Sequence, residues 1–97
     1  MNTATATNQT AELLQAGNDA TYRVTTNAKG WIEIRNNPAR QIDPAAKLDY
    51  LRLWQEDDNY WRLVHLTHNG VLKGEATFSN SLVGAMYGVV NTFFETL

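Results

Sequence analysis

Two short runs, Leu51-Arg52-Leu53-Trp54-Gln55 and Tyr60-Trp61-Arg62-Leu63-Val64, mirror each other about Glu56-Asp57-Asp58-Asn59. Acidic and amide residues between two β-prone runs read as a tight turn, so the pair is expected to be a hairpin. Taking Asp57 and Asp58 as the central turn residues sets every partner at once: Trp54 opposite Trp61, Arg52 opposite Leu63, Tyr50 opposite His65. Those six would share one face. The reverse face would then carry Leu51, Leu53, Val64 and Leu66, with Gln55 and Tyr60 beside the turn, because side chains alternate along a strand. Neither face is polar, and a sheet apolar on both sides needs cover on both.

The rest of the chain supplies more strands and little cover. Tyr22 and Val24 alternate within Thr21 to Thr26, and Ile32 and Ile34 within Trp31 to Arg35. Only an odd loop puts all four on one face. Ala28-Lys29-Gly30 provides it, with Gly30 in the bulge position and Trp31, Glu33 and Arg35 sent to the other side. At His68-Asn69-Gly70 a two-residue Asn-Gly turn places Leu72, Ala76 and Phe78 on the tryptophan face, and a three-residue loop with a glycine bulge places them on the other. Turn chemistry favours the two-residue form.

Asn36 to Ala46 holds both prolines, Pro38 and Pro44, and is the one long connection within the sheet, which suits a functional loop or a crossover. Asp43-Pro44 could also open a helix carrying Leu48, Leu51 and Trp54 on one side. The strand reading is preferred because Leu-Arg-Leu-Trp is mirrored by Trp-Arg-Leu-Val after a turn.

Helices are expected at the two ends. Thr10 to Ala16 has Leu13 and Leu14 to bury, Thr10 as a cap and Gly17 at the C-terminal stop, and residues 1–9 read as a flexible N-terminal tail. After Ser79, Asn80 or Ser81 as cap, Leu82, Met86, Val89, Val90, Phe93 and Leu97 form the centre of an apolar stripe. Val83, Ala85 and Phe94 flank it, and Gly84, Gly88, Asn91 and Glu95 lie at the back. The expected architecture is a single α+β domain over 10–97, a five-stranded antiparallel meander sheet with a short N-terminal helix and a long C-terminal helix packed on one face.

Composition limits what such a domain can be. At 97 residues, 43% of them hydrophobic, the chain is one domain with enough apolar side chains for a single core. There is no Cys, hence no disulfide frame and no thiolate metal site. A net charge of −2 gives no global field for nucleic acid or an anionic membrane. The charge is uneven, however. Between Ala20 and Gln55 six basic residues (Arg23, Lys29, Arg35, Arg40, Lys47, Arg52) meet three acidic ones (Glu33, Asp43, Asp49). With no signal-peptide pattern and no apolar stretch of spanning length, the expectation is a soluble, cytoplasmic protein without membrane association.

No catalytic constellation stands out. His65 and His68 are three apart on a strand leading into a turn and point apart. Ser79 and Ser81 lack a nucleophile elbow, and the glycines form neither a dinucleotide fingerprint nor a phosphate loop. The reading is therefore not an enzyme, with no cofactor and no metal. Element order, hairpins and then a C-terminal helix, loosely resembles Whirly-type single-strand-binding folds, without a shared motif.

Two functions remain. The first is a small non-catalytic protein-binding module, a regulator or inhibitor of a larger assembly of the phage or mobile-element type, binding a protein partner or itself as a homodimer. Its partner-binding residues would be Trp31, Arg35, Arg40, Tyr50, Arg52, Trp54 and Trp61, types that dominate interface energetics. Trp54 and Trp61 could equally be core beneath a helix. The second is single-stranded nucleic-acid binding, with bases on the same aromatics and Arg23, Arg35, Arg40 and Arg52 on phosphates.

Overall fold

The computed structural model describes residues 3–17, 20–57 and 59–96. The chain runs α1 (Thr3–Ala16), β1 (Tyr22–Thr26), β2 (Ile32–Asn36), a 3-10 turn at Pro38–Arg40, β3 (Tyr50–Gln55), β4 (Tyr60–Leu66), β5 (Leu72–Ser79), a second 3-10 turn at Asn80–Leu82, and α2 (Val83–Glu95). The strands form one antiparallel sheet in the order β1-β2-β3-β4-β5, and both helices pack on one of its faces. Residues 44–56 contain no helix, and the meander is as expected.

The first hairpin follows from its loop. Asn27 and Trp31 close three residues, with Gly30 at φ +80° and its N–H donating to Asn27 O at 3.1 Å. Val24 consequently faces Ile34 and Thr26 faces Ile32.

The central hairpin differs from expectation by one residue. Glu56 N–H donates to Tyr60 O, so the loop has three residues, of which Asp58 lies outside the described ones; Asp57 Oδ1 accepts from Asn59 N–H at 2.7 Å. An odd loop shifts every partner: Trp54 faces Arg62, Arg52 faces Val64, Tyr50 faces Leu66, and Trp61 faces Gln55. Trp54 and Trp61 therefore lie on opposite faces, and Val64 and Leu66 leave the side of Leu51 and Leu53. The cause is the three-residue loop combined with strands apolar on both sides, since such strands exert no pull towards one register.

The third hairpin is corrected in a similar way. Thr67 and Val71 close a three-residue loop at His68-Asn69-Gly70, with Gly70 at φ +84°. An irregularity at His65/Leu66 then shifts the register once more, so Leu66 meets Leu72 whereas Leu63 meets Ala76 and Trp61 meets Phe78. Ala76 and Phe78 end on the face of Trp61, and Leu72 on the other.

The core lies between the sheet and the helices. Ile32, Ile34, Leu51, Leu53, Trp61 and Leu63 from the strands meet Leu14 of α1 and Met86, Val90 and Phe94 of α2. Tyr22 packs its ring 5.0 Å from Phe94 and donates its hydroxyl to Asn91 Oδ1 at 2.8 Å. Asn91 is thus turned towards the sheet instead of lying at the back of α2, and Val89 and Leu82, expected at the centre of the stripe, are 45% and 53% exposed. Leu97 lies outside the described residues.

The helix ends also differ. No side chain caps α2: Ser79, Asn80 and Ser81 precede a 3-10 entry with Leu82 in the cap position, and Ser79 and Ser81 bond each other. α1 starts at Thr3, so Thr10 is a buried residue within it; of the expected tail, Thr3 to Gln9 is helical and Met1 and Asn2 lie outside the described residues.

Candidate binding surface

With both helices on one side, no helix or strand among the described residues lies over the other side of the sheet. Three rows of side chains cross it. In the first, Arg23 faces Arg35, Arg35 lays its guanidinium 3.7 Å from the centre of the Tyr50 ring, and Tyr50 faces Leu66. In the second, Thr25, Glu33, Arg52, Val64 and Glu75 stand opposite one another across five strands. In the third, Trp31 lies 6.1 Å from Trp54, which faces Arg62, which faces Thr77.

This face has a small apolar floor. Tyr50, Val64 and Leu66 form a second buried cluster with Trp54 against it. Arginine stems and their flat heads roof it, a common use of amphipathic side chains. Arg52 lies 4.5 Å over Trp31 and donates to Glu33 Oε1 at 2.9 Å, while Lys29 reaches the same ring at 5.0 Å. Trp54 Nε1 donates to Glu56 Oε2 at 2.5 Å, and Arg62 lies 3.6 Å from that carboxylate and 3.0 Å from Glu75. The charges alternate so that each ring edge or face meets a partner of suitable sign. The Nε groups of Arg52 and Arg62 are nevertheless buried with no hydrogen-bond partner among the described residues.

Five of the seven residues expected to bind a partner are brought together here: Trp31, Arg35, Tyr50, Arg52 and Trp54. Trp61 is not among them. The shifted register puts it under the helices at 3% exposure, packed as core. Arg40 is also apart, in the 3-10 turn, where it donates to Thr21 O at 3.2 Å and ties the long loop to the start of β1. The surface further includes Glu33, Glu56, Arg62, Val64 and Leu66, which sequence reasoning placed elsewhere or passed over. A three-residue turn at 57–59 would have found Arg62 and Val64, because it alone puts them beside Trp54 and Arg52.

The long loop is held by its own polar groups. Asn37 Oδ1 accepts from Ala39 N–H and its amide donates to Ala20 O; Asp43 Oδ1 accepts from Ala45 N–H; Gln41 donates to the carbonyls of Asp43 and Ala46. Between this loop and the first strands lies a cleft of about 480 Å³ lined in part by Arg23, Arg35, Lys47, Asp49 and His68.

His65 and His68 are not paired with each other. His65 Nε2 lies 2.9 Å from Asp49 Oδ2, and its ring meets the edge of Phe93 at 4.9 Å. Lys73 donates to the same Asp49 oxygen at 3.2 Å. Bonds from His65 and then Lys73 hold the Asp49 carboxyl below the usual aspartate range. Among the described residues no group of three or more His, Cys, Asp or Glu could hold a metal ion, and no helix is long and apolar enough to cross a membrane. No family model, curated relative or solved structure matches the chain.

Proposed function

We propose that the chain is a small non-catalytic binding module that holds a protein partner on the open face of its sheet, in the manner of a regulator or inhibitor of a larger assembly. One observation carries this reading: both helices cover the same face, while the other presents Trp31 and Trp54 interleaved with Arg35 and Arg52, over a floor that includes the buried Tyr50. Tryptophan, tyrosine and arginine are the residues that concentrate binding energy at protein interfaces. Their neighbours, Glu33, Glu56, Arg62 and Glu75, would form a polar rim that fixes orientation.

Capture from the native host with tagged protein tests it. Wild type should retain a partner, or a second copy of itself, that the Trp31→Ala/Trp54→Ala double variant loses while keeping its circular dichroism spectrum. Equal capture by both proteins would remove the sheet face from the interface.

Single-stranded nucleic acid is the second reading, favoured by the facing Arg23 and Arg35 beside the Tyr50 ring. Against it, guanidinium groups already lie over Trp31 and Tyr50, where bases would have to stack. Oligonucleotide affinity that falls steeply with salt would favour this reading over the first.

A further inference from the structure

Arg23 and Arg35 are direct cross-strand partners on the uncovered face, an arrangement that repels in the absence of an anion. Their own chain does little to relieve it. Among the described residues no carboxylate lies within ion-pair distance of Arg23 or Lys47. Arg35 has only Glu33 at 3.4 Å, and Glu33 makes a closer pair with Arg52 at 2.9 Å. Asp49, the acid in the cleft wall, is taken by His65 and Lys73.

All three of these basic side chains line the same cleft, with His68 beside them. Both sides of that cleft are set in place before any ligand arrives. One is the β1–β2 ladder, and the other is the loop braced by Asn37, Gln41 and Asp43. Arg35 is further oriented by its stack on Tyr50, and its one side-chain bond among the described residues is the long one to Glu33 at 3.4 Å.

We infer that this cleft is an anion-binding site, in which one carboxylate or phosphate group bridges the guanidinium groups of Arg23 and Arg35 with Lys47 adding charge from the loop. Planar guanidinium forks match either oxyanion, and charge-assisted bonds of this kind are the stronger ones. A volume of about 480 Å³ leaves room for more of the ligand than its charged group. The site shares Arg35 with the partner surface proposed above but takes its other cations, Arg23 and Lys47, from outside that surface.

The test is amide NMR titration of the full chain with two probes, pyrophosphate and a capped tetraglutamate peptide, repeated on Arg23→Gln/Arg35→Gln and on Lys29→Gln. Lys29 carries the same charge outside the cleft. Wild type and Lys29→Gln should show saturable shifts confined to residues 23–25, 35–36, 46–49 and 68–69, and the double variant should bind at least about tenfold more weakly. A response to the peptide alone identifies a protein-borne carboxylate as the ligand, to pyrophosphate alone a free phosphate, and to both the shared oxyanion chemistry. Absence of saturable shifts with either probe at millimolar concentration overturns the site, as does undiminished binding by the double variant. Melting temperature serves as a folding control. The double variant should still melt cooperatively, and pyrophosphate should raise the melting temperature of wild type and Lys29→Gln but not that of the double variant.

Discussion

Arg52 covers Trp31 with its guanidinium 4.5 Å from the ring centre while donating to Glu33, its partner on β2, at 2.9 Å. One side chain thus ties an aromatic residue to a carboxylate across two strands. A cation over an indole contributes about 0.5–1 kcal/mol where water reaches it, and a partly exposed ion pair a similar amount. We expect Arg52→Ala to lower stability by about 1–2 kcal/mol in urea titrations and to shift tryptophan emission to the red as Trp31 is uncovered. Unchanged emission would show that the stack contributes little in solution.

The two hairpin tryptophans should behave very differently. Trp61 is buried among Leu53, Leu63, Met86 and Val90, so Trp61→Ala opens a cavity costing about 3–5 kcal/mol. Trp54 is half-buried at the margin of the open face, and Trp54→Ala should cost about 1 kcal/mol. Paired denaturation curves check this. Similar losses for the two would mean that the open face is as well packed as the helix-covered one.

How far the sequence could be read depended on whether each strand had one apolar side or two. β1 and β2 have a single clean side, Tyr22 and Val24 against Ile32 and Ile34, and Ala28-Lys29-Gly30 is the loop that keeps them together, so their register was legible. β3 and β4 alternate apolar with large amphipathic residues on both sides. Any loop length then leaves hydrophobic groups on each face, and the choice between two residues and three fell to the turn alone. That single residue exchanged Trp61 for Arg62 on the open surface. The same ambiguity applies in α2, where apolar residues occupy most of the circumference. Only contact with the sheet selects Met86, Val90 and Phe94 over Leu82 and Val89.

That selection gives a direct contrast on adjacent residues. Val90 is fully buried and Val89 is 45% exposed. A carboxylate at 90 would be buried without a partner, so Val90→Asp should unfold the chain, whereas Val89→Glu should stay within about 0.5 kcal/mol of wild type. Melting temperatures of the two variants decide it, and equal losses would place both residues inside the core.

The glycines of β-loops and strands separate by backbone angle. Gly30 sits at φ +80° with open space where a Cβ would go, so the whole effect of Gly30→Ala is conformational, about 1–2 kcal/mol of destabilisation. Gly74 has equally open space and no positive φ, and alanine there should be neutral or stabilising by up to about 1 kcal/mol. A loss at Gly74 matching that at Gly30 would contradict the backbone angles that separate the two residues.

Asp49 predicts an acid-dependent component of stability. Its carboxylate is held below the ordinary aspartate pKa by bonds from His65 and then Lys73. As the pH falls the unfolded chain therefore takes up this proton before the folded one does. The stabilisation is complete above the ordinary value of about 4 and is lost as the pH falls through the lower folded value. Asp49→Asn keeps an acceptor oxygen but has no charge to lose. Wild type should melt above this variant at neutral pH, and the gap should close below about pH 4. Melting curves of both proteins in acidic buffers measure the gap, and a constant separation throughout would mean that Asp49 is not stabilised as a carboxylate by His65 and Lys73.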